Sequence, residues 1–172
     1  DELDYNRPRS NASVPAAQRQ ERSGVLVSIN VSNGGVPKRR VYGAIVSHSG
    51  LQKDAQGDKK NHGGPERAVC VYSLEKIRAL QREGHPIDVG TAGENVTVEG
   101  IDWELVVPGA RIRLGEHVLL EVASFTAPCK TIKASFIEGR FARISQKLHP
   151  GWSRVYGRVL TAGEMRSGGR VA

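Results

Sequence analysis

The alternation of apolar and polar positions is clearest in the middle of the chain. Ile112 and Leu114 alternate with charge in Arg111–Leu114, and Val118, Leu120 and Val122 alternate in His117–Val122. Two such runs about Gly115-Glu116 predict a β-hairpin with a two-residue type II′ turn. Gly24 to Val31, rich in β-branched residues, predicts a core strand, and Val41 to Val46 a second. Ala68 to Tyr72 is apolar throughout, so it reads as a buried strand with Cys70 in the core. Val96–Val98, Trp152–Thr161 and Val171 read as further strands, with Ala162-Gly163-Glu164 as a turn between the last two.

One stretch carries a clear helical period. Leu74, Ile77 and Leu80 stripe Leu74–Glu83, with Ser73 placed to cap its start and Gly84 to end it. Thr131–Ile137 and Arg140–Leu148 are compatible with two more short helices, the second broken by Pro150-Gly151. The sum is a mostly-β, barrel-like domain over residues 24–172 with one to three short helices. Residues 1–23 are polar, carry Pro8 and Pro15, and read as a flexible N-terminal tail.

Composition narrows the function classes. No apolar run reaches membrane-spanning length, so no membrane segment is expected. With only Cys70 and Cys129, a disulfide framework is not expected, which suits a reducing cytoplasm. From Lys130 onward nine Lys and Arg face only Glu138 and Glu164, which accounts for the whole net charge of +7. That asymmetry points to an anionic partner near this region, although a solvated basic face needs none. Nucleic acid is the weaker partner class, because aromatics make up only 5% of the residues and no recognised binding motif is present.

The candidate chemistry converges on Pro128-Cys129-Lys130. The predicted strand ends just before this cysteine and a helix-compatible run starts just after it. A helix N-terminus and the cations Lys130 and Lys133 both favour thiolate, the form that binds soft metals or attacks sulfur. An ordinary buried cysteine is the competing reading. The long polar loop from His48 to Pro65 closes on His62-Gly63-Gly64-Pro65, with Arg67 just beyond. Paired glycines let a ligand approach the main chain, and an imidazole can bond, transfer protons or ligate metal. Gly93-Glu94-Asn95 reads as a loop tip presenting a carboxylate and an amide, or as an ordinary turn.

Several of these pieces stand in one order: His62-Gly63-Gly64-Pro65-Glu66-Arg67-Ala68-Val69, Gly93-Glu94-Asn95-Val96-Thr97-Val98, Pro128-Cys129, and Gly151 through Leu160. Together they resemble the MOSC domain family, named for the C-terminal domain of molybdenum-cofactor sulfurases, over nearly the whole span from Gly24. The resemblance implies a pyruvate-kinase-type β-barrel with Cys129 as the signature cysteine, ligating molybdenum or carrying persulfide sulfur. It places His62, Arg67, Glu94 and Asn95 along one cleft. His62 and Glu94 then serve proton delivery, while Arg67, Gly63, Gly64, Asn95, Lys130 and Lys133 hold the molybdenum cofactor (molybdopterin). Stand-alone bacterial members of this kind resemble proteins giving resistance to 6-hydroxylaminopurine. The implied activity is reduction of small N-hydroxylated substrates with the help of a redox partner protein.

The alternative is a metal-free sulfur carrier, independent of pyridoxal phosphate, loaded by a sulfur donor protein. Two departures from the family pattern stand out. Where Gly-Asp near the start of the polar loop and an Arg shortly before the cysteine are common, this chain has Gln52-Lys53-Asp54 and Phe125-Thr126-Ala127-Pro128.

Overall fold

The computed structural model describes residues 23–55 and 64–172. His62, Gly63 and all of the expected tail except Ser23 lie outside the described residues. The strands are β1 (Gly24–Val31), β2 (Arg39–Val41), β3 (Gly43–Ser47), β4 (Gly50–Leu51), β5 (Val69–Ser73), β6 (Val96–Glu99), β7 (Arg111–Leu114), β8 (Val118–Phe125), β9 (Val155–Thr161), β10 (Gly163–Arg166) and β11 (Arg170–Val171). A single α-helix among the described residues, α1 (Leu74–Arg82), joins β5 to β6.

The main sheet runs β11-β7-β8-β9-β5-β6-β1-β2, and β11 also pairs with β1, so seven strands close into a barrel. Closure removes the open edges that invite aggregation. Among the described residues only β5 and β6 pair in parallel, and α1 supplies the crossover that a parallel pair requires. The alternation that predicts β7 is borne out, with Ile112 and Leu114 buried and the arginines between them exposed. Leu26, Ile29, Val69, Val71, Val96, Val98, Leu114 and Leu120 have no exposed surface and form the core. At the start of α1 the Ser73 hydroxyl accepts from the Lys76 amide at 3.2 Å, and Gly84 takes φ 100° just past its end.

Four local expectations change. The stretch Val41–Val46 breaks at exposed Tyr42: β2 stays with β1, while β3 leaves to join the small sheet β10-β3-β4. The hairpin turn has three residues, because Leu114 pairs with Val118. Gly163 opens β10 instead of a turn, and a Cβ there would meet His117 Cβ at 2.8 Å, so the close approach requires glycine. The two helices expected after Cys129 are three short 3-10 turns, Lys130–Ser135, Ile137–Gly139 and Phe141–Ile144. Ile132 and Ser135 are buried three residues apart, the 3-10 repeat, then Phe136 turns extended. Left-handed Glu138 (φ 52°) and Gly139 (φ 68°) prevent continuation.

Candidate functional site

Cys129 sits where β8 leaves the barrel. Beyond Phe125, the Thr126 amide donates to the Arg154 carbonyl at 2.9 Å, so the segment is still held to the chain entering β9. Ala127 and Pro128 then swing outward. Cys129 is half-buried with extended backbone at the start of the Lys130–Ser135 turn, and its Sγ lies 2.9 Å from Thr131 Oγ1. A six-residue 3-10 turn replaces the expected helix, so a full helix dipole does not act on this thiol. Lys130 and Lys133 lie on that turn and are both exposed.

Behind the thiol the barrel wall brings three side chains abreast. Tyr156 on β9 is in register with Cys70 on β5 and with Ser124 on β8. Cys70 is buried, with Sγ 3.9 Å from Thr126 Oγ1, and burial pushes its thiol up. From the Pro65–Arg67 turn, the Arg67 guanidinium reaches within 5.8 Å of the Tyr156 ring centroid. Burial pushes the Tyr156 phenol up. Cys70 adds to the rise, Arg154 and Arg67 oppose it, and Cys129 adds a smaller share. Both thiols and two arginines therefore act electrostatically on one phenol. Gly64 is exposed with φ 95°, and an added Cβ there would meet nothing within 4 Å.

Gly93-Glu94-Asn95 is interior, unlike the loop tip the sequence suggests. Glu94 and Asn95 are 0% and 2% exposed. Asn95 ties the wall together: its Oδ1 accepts from the Cys70 amide at 3.0 Å, and its Nδ2 donates to Asp54 Oδ2 at 2.8 Å. Asp54 in turn pairs with Lys38 at 2.7 Å, both side chains nearly buried, and accepts from the Ser32 amide. Glu94 has no such partners. Neither carboxylate oxygen makes a hydrogen bond, and nor does Nε of buried Arg154. Burial pushes the Glu94 carboxyl up to about 7, against the opposing pull of its own and the Gly90 amides and of Arg154. Those amides lie close enough to act electrostatically without hydrogen-bond geometry. Arg154 Nη1 donates to the Ala92 carbonyl at 2.6 Å, which anchors the guanidinium inside the wall.

Arg154, Tyr156 and Thr126 are members of this neighbourhood that sequence reasoning does not single out. Their only sequence signal is their place in the stretches that flank Pro128-Cys129 and open the last long strand. Among the described residues no group of three or more His, Cys, Asp or Glu could hold a metal ion.

The MOSC domain profile matches residues 58–172, well over half of the chain. The chain belongs to the MOSC domain family. It is 31% identical over 140 residues to YflK of Bacillus subtilis, covering 80% of this chain and 62% of YflK. To YiiM of Escherichia coli it is 30% identical over 123 residues, 68% of this chain and 54% of YiiM. The YiiM crystal structure superposes with a TM-score of 0.64 at 22% identity, covering 86% of this chain and 68% of that one. A protein of Gibberella moniliformis named as a reductase is 29% identical over 97% of this chain, which spans 32% of that protein. The chain thus spans about three-fifths or less of these relatives.

Lys53 of this MOSC chain takes left-handed φ 65°, the conformation glycine adopts most easily. Arg154, whose carbonyl accepts from the Thr126 amide, is the arginine held beside the stretch that leads to Cys129.

Proposed function

We propose that this MOSC protein binds the molybdenum cofactor through Cys129 and reduces N-hydroxylated compounds, N-hydroxylated bases among them. One observation carries the reading: the half-buried Cys129 thiol shares the surroundings of Tyr156 with buried Arg154 and partly buried Arg67. A bare ion would need several protein ligands. A metal that brings its own dithiolene sulfurs needs one soft protein donor and cations for its phosphate, and this donor set fits that demand. The fungal relative named as a reductase supports the reaction class.

In this reading Cys129 is the protein ligand, and Arg67, Lys130, Lys133 and the Gly63-Gly64 backbone hold the anionic end of the cofactor. Asn95 acts by position, because its amide is committed to the wall. The cofactor supplies the electrons when bound. Reducing an N-hydroxyl group takes up two electrons and two protons, breaks the N–O bond and releases the oxygen as water. Glu94 holds a proton near neutral pH, as delivery to that leaving oxygen requires, and His62 is the second donor.

The test is molybdenum and pterin content after production in a cofactor-competent host. Both should co-purify with the wild type and fall in Cys129→Ser, followed by reduction of hydroxylaminopurine by the wild type alone. Retention of neither, even after incubation with fresh cofactor, would sink the proposal. A metal-free persulfide carrier is the second reading, favoured by the Thr131 hydroxyl 2.9 Å from Sγ, which can donate to a thiolate or terminal sulfur. It predicts sulfane sulfur that disappears in Cys129→Ser with no molybdenum present.

A further inference from the structure

The 3-10 turns after Cys129 build a groove apart from the thiol neighbourhood. It has a volume of about 570 Å³, within the range of ligand-binding clefts, and its walls include Ile137, Phe141 and Ala142. Arg140 and Arg143 supply positive charge on its rim, with the imidazoles of His85 and His149 beside them, and the Lys133 Cβ stands beside Gly139. Ile137 is 41% exposed, although Phe136 beside it is buried. Nearby Leu148 is 61% exposed, on a stretch that also carries Lys147.

Rigid side-chain contacts hold this surface in shape. Arg143 makes a two-point contact with Glu83 at 2.7 and 3.0 Å while stacking 4.0 Å from the Trp152 ring centroid. His85 Nδ1 accepts from the Ile137 amide at 3.1 Å. The ion pair of Arg140 with Glu138 is solvent-exposed on both sides, so it leaves the Arg140 charge open to exchange for another anion. The groove therefore combines a preformed apolar floor, an exposed apolar anchor point and the cations that make the chain basic downstream of its thiol.

We propose that this groove docks an acidic segment of a partner protein, with one bulky apolar side chain of that segment seated between Ile137 and Phe141. Charge complementarity selects an acidic partner, and the concave floor selects a side chain over a flat lipid surface. The groove lies on the segment that follows Cys129 in the chain. The proposal does not depend on which cargo Cys129 carries.

The probe is a labelled peptide of aspartate and glutamate residues about a single central phenylalanine, titrated by fluorescence anisotropy. Replacing that phenylalanine by serine should weaken binding about tenfold, as should Arg140→Glu or Ile137→Asp in the protein. Shifted amide NMR signals should centre on Ile137 to Arg143. Equal binding of both peptides, unchanged affinity in both variants, or shifts that map elsewhere would overturn the proposal. So would phosphatidylglycerol vesicles that bind the wild type in preference to the peptide. Both variants change exposed side chains, and a circular-dichroism melt matching the wild type establishes that they fold.

Discussion

The barrel wall and the irregular segment from Thr126 to Arg154 divide the work of this molecule. In the wall, order comes from strand ladders and a dry core. In the segment, three short 3-10 turns are held by side chains. Trp152 has Lys76 and Arg143 over its ring, 4.3 and 4.0 Å from the centroid, Arg143 grips Glu83, and Ser135 bonds Thr91. One carboxylate shows the difference on each side. Glu94, inside the wall, is pushed up by burial; Glu83, on the surface, is held low by Arg143. The interior keeps the Glu94 carboxylate without a hydrogen-bond partner, whereas Arg143 of the segment pairs with Glu83 at the end of α1.

The largest effect should come from cutting the wall. Leu120 is fully buried, and Gly157 on the facing strand lies so close that a Cβ there would meet Leu120 Cδ1 at 3.1 Å. Leu120→Ala should therefore cost about 3 kcal/mol in urea unfolding, because backbone on the facing strand cannot collapse into the void. Leu148→Ala in the segment should change stability by less than about 0.5 kcal/mol. Equal losses in the two variants would erase the distinction between the regions.

Glu94→Gln comes next, and its sign depends on pH. The folded carboxyl titrates near 7 and the unfolded one near 4.5, so the folded state keeps a proton that the unfolded state has released between those values. Stability from this group is therefore present below pH 4.5 and is lost as pH rises through 7. A shift of that size corresponds to about 3 kcal/mol. The glutamine variant should flatten that fall and gain stability relative to the wild type at pH 8. A wild-type unfolding midpoint unchanged from pH 5 to 8 would show that Glu94 is ionised and paired in the fold.

The same division explains what the sequence makes legible. Period-two alternation reveals β7 and β8, a β-branched run reveals β1, and a helical stripe with a serine cap reveals α1, because each is a local pattern. Barrel closure through β11 is non-local and depends on two residues, Arg170 and Val171. The helices expected after Cys129 fail because burial there follows a three-residue repeat broken by left-handed Glu138 and Gly139, and neither feature shows in an apolar count. For the site, Cys129 is visible from its neighbours in sequence. Arg154 and Tyr156 are not, because strand register alone brings them to Cys70 and Thr126. Glu94 is visible as a carboxylate, but its burial is visible only in the fold.

The smallest effect belongs to the surface pairing. Glu83 is largely solvated and its pair with Arg143 is screened by salt, so Arg143→Met should cost no more than about 1 kcal/mol overall. Its local effect should be larger. Arg143 braces Glu83, Glu83 Oε2 lies 3.4 Å from His85 Nε2, and His85 accepts the Ile137 amide. Loss of the arginine should therefore speed hydrogen exchange at Ile137 while leaving the β8 amides as slow as in the wild type. The pH sign is opposite to that of Glu94: a carboxyl held low contributes above its unfolded pKa and loses that contribution as pH falls through the folded value. Arg143→Met should thus remove a small acid-side loss of stability below pH 4.5. Exchange that quickens equally in β8 would mean that the segment and the wall open together, and the surface contacts would then be part of the barrel's own cooperative unit.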